Sequence, residues 1–384
     1  MNPDTYRWES LILRLDREAR DRPGLYRFRV SLLAALPGIY LLILLLGAFA
    51  ILGGLGFLVY LILRNLHGLT ALKLLIPVCL GVLAFIGTLI SALVIRVPEP
   101  EGIEVTYEEA VPLYLEIDRL REKLRVPRFH RIFLTDEFNC SVLQRPRFGI
   151  FGGHRSYLVI GLPLMASLSP AQFRAVLAHE MGHIAGGHSR FGARIRRIYY
   201  SYISLLAALD EEDRASLFLF AGFFSWFVPL FAAYTFVARR QNEYEADKLS
   251  AQAVGADTTA AALIATKLAD VAIANGHTGP IDRLTAQRWL NALLSVRTDS
   301  EVVHPCLADR LRALDRKPTL PEPMKESALT HLFRHKAPML LQRVGCPVVF
   351  TDEEPAASPA SATRATITTP PSNRPATGLR PVGQ

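Results

Sequence analysis

Two long apolar runs dominate the N-terminal quarter of the chain. Residues 30–63 and residues 74–95 contain no Asp, Glu, Lys or Arg. Each run exceeds the roughly 20 residues that a helix needs to cross about 30 Å of hydrocarbon. The first run is nevertheless too short for two full crossings. The pattern therefore predicts two transmembrane helices within residues 30–96.

The segment before the first apolar run, residues 1–29, is amphipathic. Residues 5–22 place Trp8, Leu11 and Leu15 on one side of a helix, a pattern typical either of a helix lying at a membrane interface or of a solvated one. No small-residue cleavage site follows a short apolar core, which argues against a removed signal peptide. We expect this segment to be cytoplasmic or interfacial.

Basic residues at the membrane boundary predict the orientation. Arg27 and Arg29 directly precede the first run, so the positive-inside rule places the N-terminus in the cytoplasm. After two crossings, the chain beyond Arg96 returns to the same side.

Beyond residue 97 the pattern becomes mixed and predicts a mainly α domain with a small β-sheet, extending to residue 348. The segments FHRIFLT, RFGIF and SYLVIG are strand-like, and Gly152 and Gly153 indicate a hairpin turn between the last two. Tyr157 to Ile160 is either an edge strand that pairs with an extended peptide or a plain core strand. Residues 349–384 are rich in Pro, Ser, Thr and Ala and are predicted to be disordered.

The net charge indicates the kind of partner, and the cysteines indicate the compartment. The net charge is +8, but the arginines are scattered and often end apolar runs, which favours an anionic membrane surface over nucleic acid. The four cysteines show no CxxC spacing, which fits reduced thiols in a cytoplasmic compartment.

The stretch AVLAHEMGHIAGGH, residues 175–188, lies on a helix with clear start signals. Ser169 is a suitable N-cap, Pro170 suits the first helical position, and Gln172 completes a capping box. The helix therefore begins about ten residues before the first histidine.

His179 and His183 are four residues apart and project from the same helix face, so they can present two imidazoles to one metal ion. Glu180 stands beside them, where it can take a proton from a water molecule that zinc has made acidic. The alternative is a pair of surface histidines without a metal.

A third ligand has two standard sources. The metzincin pattern requires a histidine where this chain has Ser189, and His188 is one residue out of register. The other source is a carboxylate on a later helix, here in RRQNEYEADKLS, where Glu243 and Asp247 share a face and Glu245 points away. Glu243 is the candidate ligand and Asp247 a candidate partner for a ligating histidine; the alternative is an exposed, salt-bridged helix face.

The segments AVLAHEMGHIAGGH and RRQNEYEAD together resemble the zinc peptidase family that includes the CAAX prenyl proteases and the bacterial HtpX membrane proteases. TDEFNCSV, with Asn139, resembles the family's segment before the motif, and SYLVIGLPLMASLSPAQFRAVLAHE resembles its strand, turn and motif helix. HPCLADRLRAL, which begins at His304, resembles a late family segment and puts Arg310 at its arginine. The likeness covers about residues 104–315.

The resemblance implies a gluzincin-type, zinc-dependent endopeptidase with Glu180 as general base and His179, His183 and Glu243 as ligands of one zinc ion per chain. Asn139, His304 and Arg310 are candidates for contact with the substrate or with the developing oxyanion, and for the first two an alternative role stays open. Asn139 either seats the substrate backbone or holds a turn. His304 either donates a hydrogen bond to the developing oxyanion or caps a helix before Pro305.

A third uncharged run, residues 215–238, lies between the histidines and Glu243. A single crossing is excluded if the site exists, because all ligands must lie about 2 Å from one ion. A paired crossing by residues 198–209 is too short, at about 1.5 Å per residue. We therefore expect the run to dip into one leaflet or to pack beneath the active site.

The sequence thus predicts a membrane-bound zinc metalloendopeptidase of the bacterial inner membrane, multi-pass, with the active site facing the cytoplasm. Its expected partners are the lipid bilayer and membrane-associated protein or peptide substrates, in quality control or processing, and no nucleic acid. The alternative is a catalytically inactive membrane scaffold with the peptidase fold. The sequence leaves the oligomeric state open.

Overall fold

The structure is a computed structural model that describes residues 3–65, 76–77, 79–84, 86–87, 99–146, 154–185, 195, 198, 218–277, 279, 281–296 and 304–345. Over these ranges the chain is mainly helical with one small mixed sheet, as the sequence predicts. The predicted tail, residues 349–384, lies outside the described residues.

The helices, numbered in chain order, are α1 (Pro3–Asp21), α2 (Pro23–Asn65), α3 (Val111–Leu124), α4 (Leu162–Ser167), α5 (Pro170–Gly182), α6 (Phe218–Val254), α7 (Ala256–Ala274), α8 (Arg283–Ser295), α9 (Leu307–Ala313), α10 (Ala328–Phe333) and α11 (Ala337–Val344). A short 3₁₀ turn, Arg334–Lys336, joins α10 to α11.

The sheet has the strand order β1 (Ile103–Glu104), β2 (Arg131–Thr135), β4 (His154–Gly161), β3 (Cys140–Pro146). β2 and β4 are parallel, whereas β3 and β4 form an antiparallel pair in which Cys140 faces Ile160. β3 and β4 are consecutive antiparallel strands before the motif helix. The predicted strand RFGIF and the predicted turn at Gly152 and Gly153 lie outside the described residues.

The edge-strand interpretation of Tyr157 to Ile160 is wrong for the described sheet. These residues belong to β4, which lies between β2 and β3, and Leu158 and Ile160 are fully buried. Both neighbours already use the backbone donors and acceptors of β4, so no peptide can pair with it. The outer strand on this side of the sheet is β3.

One described helix is long and apolar enough to cross a membrane. The candidate span, Pro23–Leu61 in α2, has 39 residues, and only 6% of its most apolar window is buried within the protein. Leu42, Ile43 and Phe57 are exposed along it, as expected for side chains that face lipid. The prediction of two spans is not confirmed, because most of the run at residues 74–95 lies outside the described residues.

The third apolar run belongs to α6, a continuous helix that also carries Glu243. Phe224, Phe227 and Phe231 are fully buried in a cluster with residues of α1 and α2, and the rings of Phe227 and Phe231 stack at 5.3 Å. The part of α6 from Phe223 to Ala238 therefore packs against the N-terminal helices. The interfacial or solvated α1 that the sequence predicts buries Leu15 in the same cluster.

Helix α5 begins as predicted. The Ser169 hydroxyl accepts a hydrogen bond from the Gln172 backbone N–H, and the Gln172 side chain accepts one from the Ser169 N–H. Phe173, Leu177 and Met181 are buried in the main hydrophobic core, which also contains residues of the sheet and of α3. This packing fixes α5 on the sheet and leaves its C-terminal end to carry the histidines.

Candidate metal centre

Two histidines meet at the C-terminal end of α5. His179 lies in the last turn, and His183 is the residue that follows Gly182, where the helix ends. Their rings are 4.7 Å apart and nearly perpendicular, at 80°. Donor atoms of His179, Glu180 and His183 all lie within 4.8 Å of one another, so the local spacing gathers three metal-binding side chains.

Helix α6 approaches α5 closely at this point. A Cβ atom added to Gly182 would lie 3.1 Å from Cα of Ala246, a separation that real side chains rarely adopt. The glycine therefore permits the close packing, and the polar face of α6 reaches the two histidines.

Glu243 lies between the two imidazoles. Its Oε1 is 3.5 Å from Nε2 of His183, and its Oε2 is 3.7 Å from Nε2 of His179. Ligand atoms bound about 2.0–2.1 Å from one tetrahedral ion lie about 3.3 Å apart, so the three side chains fit a single zinc-sized ion. Glu243 is 5% exposed, whereas Glu180 lines the open cavity; the buried carboxylate is the better ligand.

The other nitrogen of each imidazole has a polar neighbour. His179 Nδ1 is 2.9 Å from Asp247 Oδ1, and His183 Nδ1 is 3.1 Å from the amide nitrogen of Asn242. A half-turn of that amide presents its oxygen, which accepts the Nδ1 proton. Both contacts leave Nε2 facing Glu243, as histidine ligands require.

Arg310 neutralises the buried Asp247. Its Nη2 and Nε donate to the two carboxylate oxygens at 2.6 and 2.8 Å, and Asp247 is 1% exposed. Burial by itself raises the pKa of Asp247, but the charge and hydrogen bonds of Arg310, together with His179, hold the pKa below its usual value. The carboxylate therefore stays ionised beside the imidazole.

The two carboxylates in turn change the ionisation of His179. Burial alone lowers the pKa of this imidazole, yet its hydrogen bonds with Asp247 and Glu243 raise the pKa from 6.5 to about 9. The same contacts, with His304, hold the pKa of Glu243 well below its usual value although burial opposes this.

His304 lies at the mouth of the site. Its Nδ1 is 2.8 Å from Glu243 Oε2, and its side chain is 60% exposed. The N-cap of α9 is Cys306, so the interpretation of His304 as a helix cap is wrong. The imidazole contacts the candidate ligand and lines the cavity.

A cavity of about 220 Å³ opens beside the histidines and is lined by Glu180 and Asn139. The backbone carbonyl of Asn139 accepts the Gly161 N–H at 2.7 Å, and a Cβ on Gly161 would lie 1.7 Å from the Glu137 carbonyl oxygen. The backbone of Asn139 thus holds a tight turn, while the residue also faces the cavity.

The structure brings together every site residue that the sequence predicts: Asn139, His179, Glu180, His183, Glu243, Asp247, His304 and Arg310. Sequence reasoning missed Asn242, whose only signal was its position beside Glu243. It also missed one face of α7, from Thr259 to Asp270, that forms a wall of the cavity.

Two histidines on one helix, a glutamate beside them and a buried carboxylate from a second helix define a metalloprotease. Residues 133–317 match the model of Peptidase family M48. The chain is therefore a hydrolase of the metallopeptidase class, and the family implies a bound metal.

Two curated relatives, both named Protease HtpX, support this assignment. The protein from Ectopseudomonas mendocina is 26% identical over 45% of this chain and 67% of its own length. The protein from Pseudomonas fluorescens is 24% identical over 46% of this chain and 66% of its own length. No solved structure is significantly similar to the chain.

Proposed function

We propose that the protein is a membrane-bound zinc endopeptidase in which His179, His183 and Glu243 hold the metal and Glu180 is the general base. The observation that carries this proposal is the position of the Glu243 carboxylate, 3.5 and 3.7 Å from the two Nε2 atoms. The Nδ1 contacts with Asp247 and Asn242 hold both rings in that orientation. A catalytically inactive scaffold has no comparable need for two oriented imidazoles.

Zinc held here supplies positive charge that polarises the scissile carbonyl and makes a water molecule acidic. Glu180 lines the cavity beside the histidines, where its carboxylate takes the proton from the attacking water and returns it to the leaving nitrogen. His304, exposed at the mouth of the site, donates a hydrogen bond to the carbonyl oxygen as negative charge develops there.

The proposed substrate is an extended segment of a membrane-associated or misfolded protein. β3 is the outer strand of the described sheet and begins at Cys140, which lines the cavity together with Asn139. A peptide added to this edge would gain backbone hydrogen bonds independent of its sequence. Leu263 and Ala262 on α7 form an apolar wall of the same cavity.

We further propose an inner-membrane location with the site facing the cytoplasm and a role in membrane-protein quality control. The exposed apolar surface of α2 supports the membrane anchor. Reporter fusions after residues 68, 100 and 212 test the orientation: periplasmic activity at residue 100 contradicts it.

The activity is tested with the full-length protein in detergent. We expect one zinc per chain and cleavage of casein by the wild type, and retained zinc without cleavage in Glu180→Gln. Equal cleavage by the variant and the wild type would show that Glu180 is not the general base. Absence of zinc from the wild type would overturn the metal assignment, and zinc without cleavage of casein or of any membrane-protein substrate would favour the scaffold.

A further inference from the structure

Tyr26 connects the N-terminal helices to the helix that carries Glu243. It lies in the first turn of α2 and is 3% exposed. Its ring belongs to the buried cluster that includes Phe227 and Phe231 of α6. A buried phenol must find hydrogen-bond partners, because leaving its hydroxyl unpaired in an apolar cluster is destabilising.

The hydroxyl of Tyr26 finds both partners on the backbone of α6. It donates to the carbonyl oxygen of Tyr234 at 2.8 Å and accepts the N–H of Ala238 at 3.1 Å. These two backbone groups are four residues apart, so they are the donor and acceptor of one turn of an α-helix. Tyr26 therefore contacts a backbone acceptor and a backbone donor that lie one turn apart on α6.

This turn lies directly before the metal centre. Ala238 is followed four residues later by Asn242 on the same helix face, and Asn242 contacts His183. Glu243 is the next residue. The axial rise from Ala238 to Glu243 is about 7.5 Å at about 1.5 Å per residue, which is less than one and a half turns of rigid helix.

The metal centre requires a well-defined position of α6. A functional site tolerates errors of about 0.5 Å, whereas a shift of one residue along a helix moves a side chain by about 1.5 Å and turns it by about 100°. The aromatic contacts of Phe227 and Phe231 bury area but have little directional preference. The two hydrogen bonds of Tyr26 are directional and specify one position.

We propose that Tyr26 is a positioning residue for the metal centre: its hydroxyl fixes the α6 turn at Tyr234 and Ala238, and thereby the placement of Glu243 and Asn242 against the two histidines. In this view the positions of α2 and α6 are coupled, because Tyr26 of α2 binds the backbone of α6. This inference rests on the proposed function only in taking Glu243 as a metal ligand.

The test compares Tyr26→Phe with Tyr40→Phe in the full-length protein in detergent. Tyr40 is the matched control, since it also lies on α2 and its ring stacks on Phe223 of α6 at 4.1 Å. We expect Tyr26→Phe to weaken zinc binding, measured by competition with a chelator well below the unfolding temperature, by about 3- to 10-fold. The kcat should fall with KM unchanged, and Tyr40→Phe should stay within about twofold of the wild type.

A lowered melting temperature with unchanged zinc affinity and kcat in Tyr26→Phe would make Tyr26 a purely structural residue and overturn the inference. That outcome leaves the proposed function intact, because the wild type would still bind zinc and cleave protein. If the wild type binds no zinc, the proposed function fails instead.

Hydrogen exchange of the wild type provides a second test that needs no variant. Removal of zinc should speed amide exchange in residues 232–243 and also in residues 23–34, since one hydroxyl joins the two segments. Faster exchange confined to α6 after Arg239 would contradict the inference.

Discussion

The two halves of α6 show how one helix serves two environments. Before Arg239 its buried side chains are mostly aromatic and aliphatic and pack against α1 and α2. After it, Asn242, Glu243, Asp247 and Ser250 are buried on the same helix, and each has a polar partner. The first half is stabilised mainly by apolar area removed from water, with the two backbone hydrogen bonds of Tyr26 as directional exceptions. The second half depends on specific polar pairs.

The largest effect is expected at Glu180, which lies on α5 and not on α6. Glu180→Gln removes the carboxylate that accepts the water proton, so kcat should fall by about 10²- to 10⁴-fold. Zinc content, measured by atomic absorption, should stay at the wild-type level. Conversely, a variant that loses zinc along with its activity would assign Glu180 to metal binding.

A substitution in the polar half of α6, after Arg239, should weaken zinc binding more than it lowers the stability of the fold. Glu243→Ala removes a ligand and should weaken zinc binding by roughly 10³-fold, above the 10- to 100-fold typical of residues that only support a ligand. Glu245→Ala is the matched control, because Glu245 lies on the same helix but points away from the histidines. Equal zinc affinities for the two variants would refute the ligand assignment.

Breaking a buried ion pair should lower stability strongly. Arg310→Ala leaves Asp247 buried without its counter-charge and should lower the free energy of unfolding by about 3–5 kcal/mol. Arg312→Ala removes an arginine of the same helix whose side chain is 77% exposed in its pair with Asp309, and should cost less than about 1 kcal/mol. Urea unfolding of both variants checks the difference; similar midpoints would show that the buried pair is not a determinant of stability.

The smallest expected effect is the loss of stability when one buried hydroxyl is removed from each half of α6. Ser250 Oγ donates to the Ala175 carbonyl of α5 at 2.9 Å, whereas Thr235 Oγ1 donates to carbonyls of its own helix. Both side chains are fully buried. Ser250→Ala should cost about 1–2 kcal/mol and Thr235→Val less than about 0.5 kcal/mol in thermal unfolding. The reverse order would show that a side-chain hydroxyl contributes more to stability in the apolar half than in the polar half.

Local features of the sequence predicted local structure well. The capping box at Ser169 and the four-residue spacing of His179 and His183 depend only on neighbouring residues, and the structure reproduces both. Asp247 and Glu243 were identified because their spacing puts them on one helix face. Their encounter with the histidines was predicted only through the order of the motifs and the need for a third ligand.

What the sequence did not predict depends on contacts between distant segments. Strand order is set by pairing across the sheet, so the interior position of Tyr157 and its β4 neighbours was not visible in their own pattern. His304 precedes a proline, which suggested a cap, yet α9 begins after Cys306 and leaves the imidazole to contact Glu243. Tyr26 meets α6 across more than 200 residues of sequence.

The wide separation of the site residues also governs when the enzyme becomes active during its synthesis. Arg310 follows His179 by 131 positions, which a ribosome adding about 5–20 residues per second needs roughly 7–26 s to translate. Throughout that interval the nascent chain displays both histidines without the complete set of partners around them. The candidate site is thus completed late in synthesis, and a chain truncated before Arg310 carries the two histidines but not the full set of residues around them.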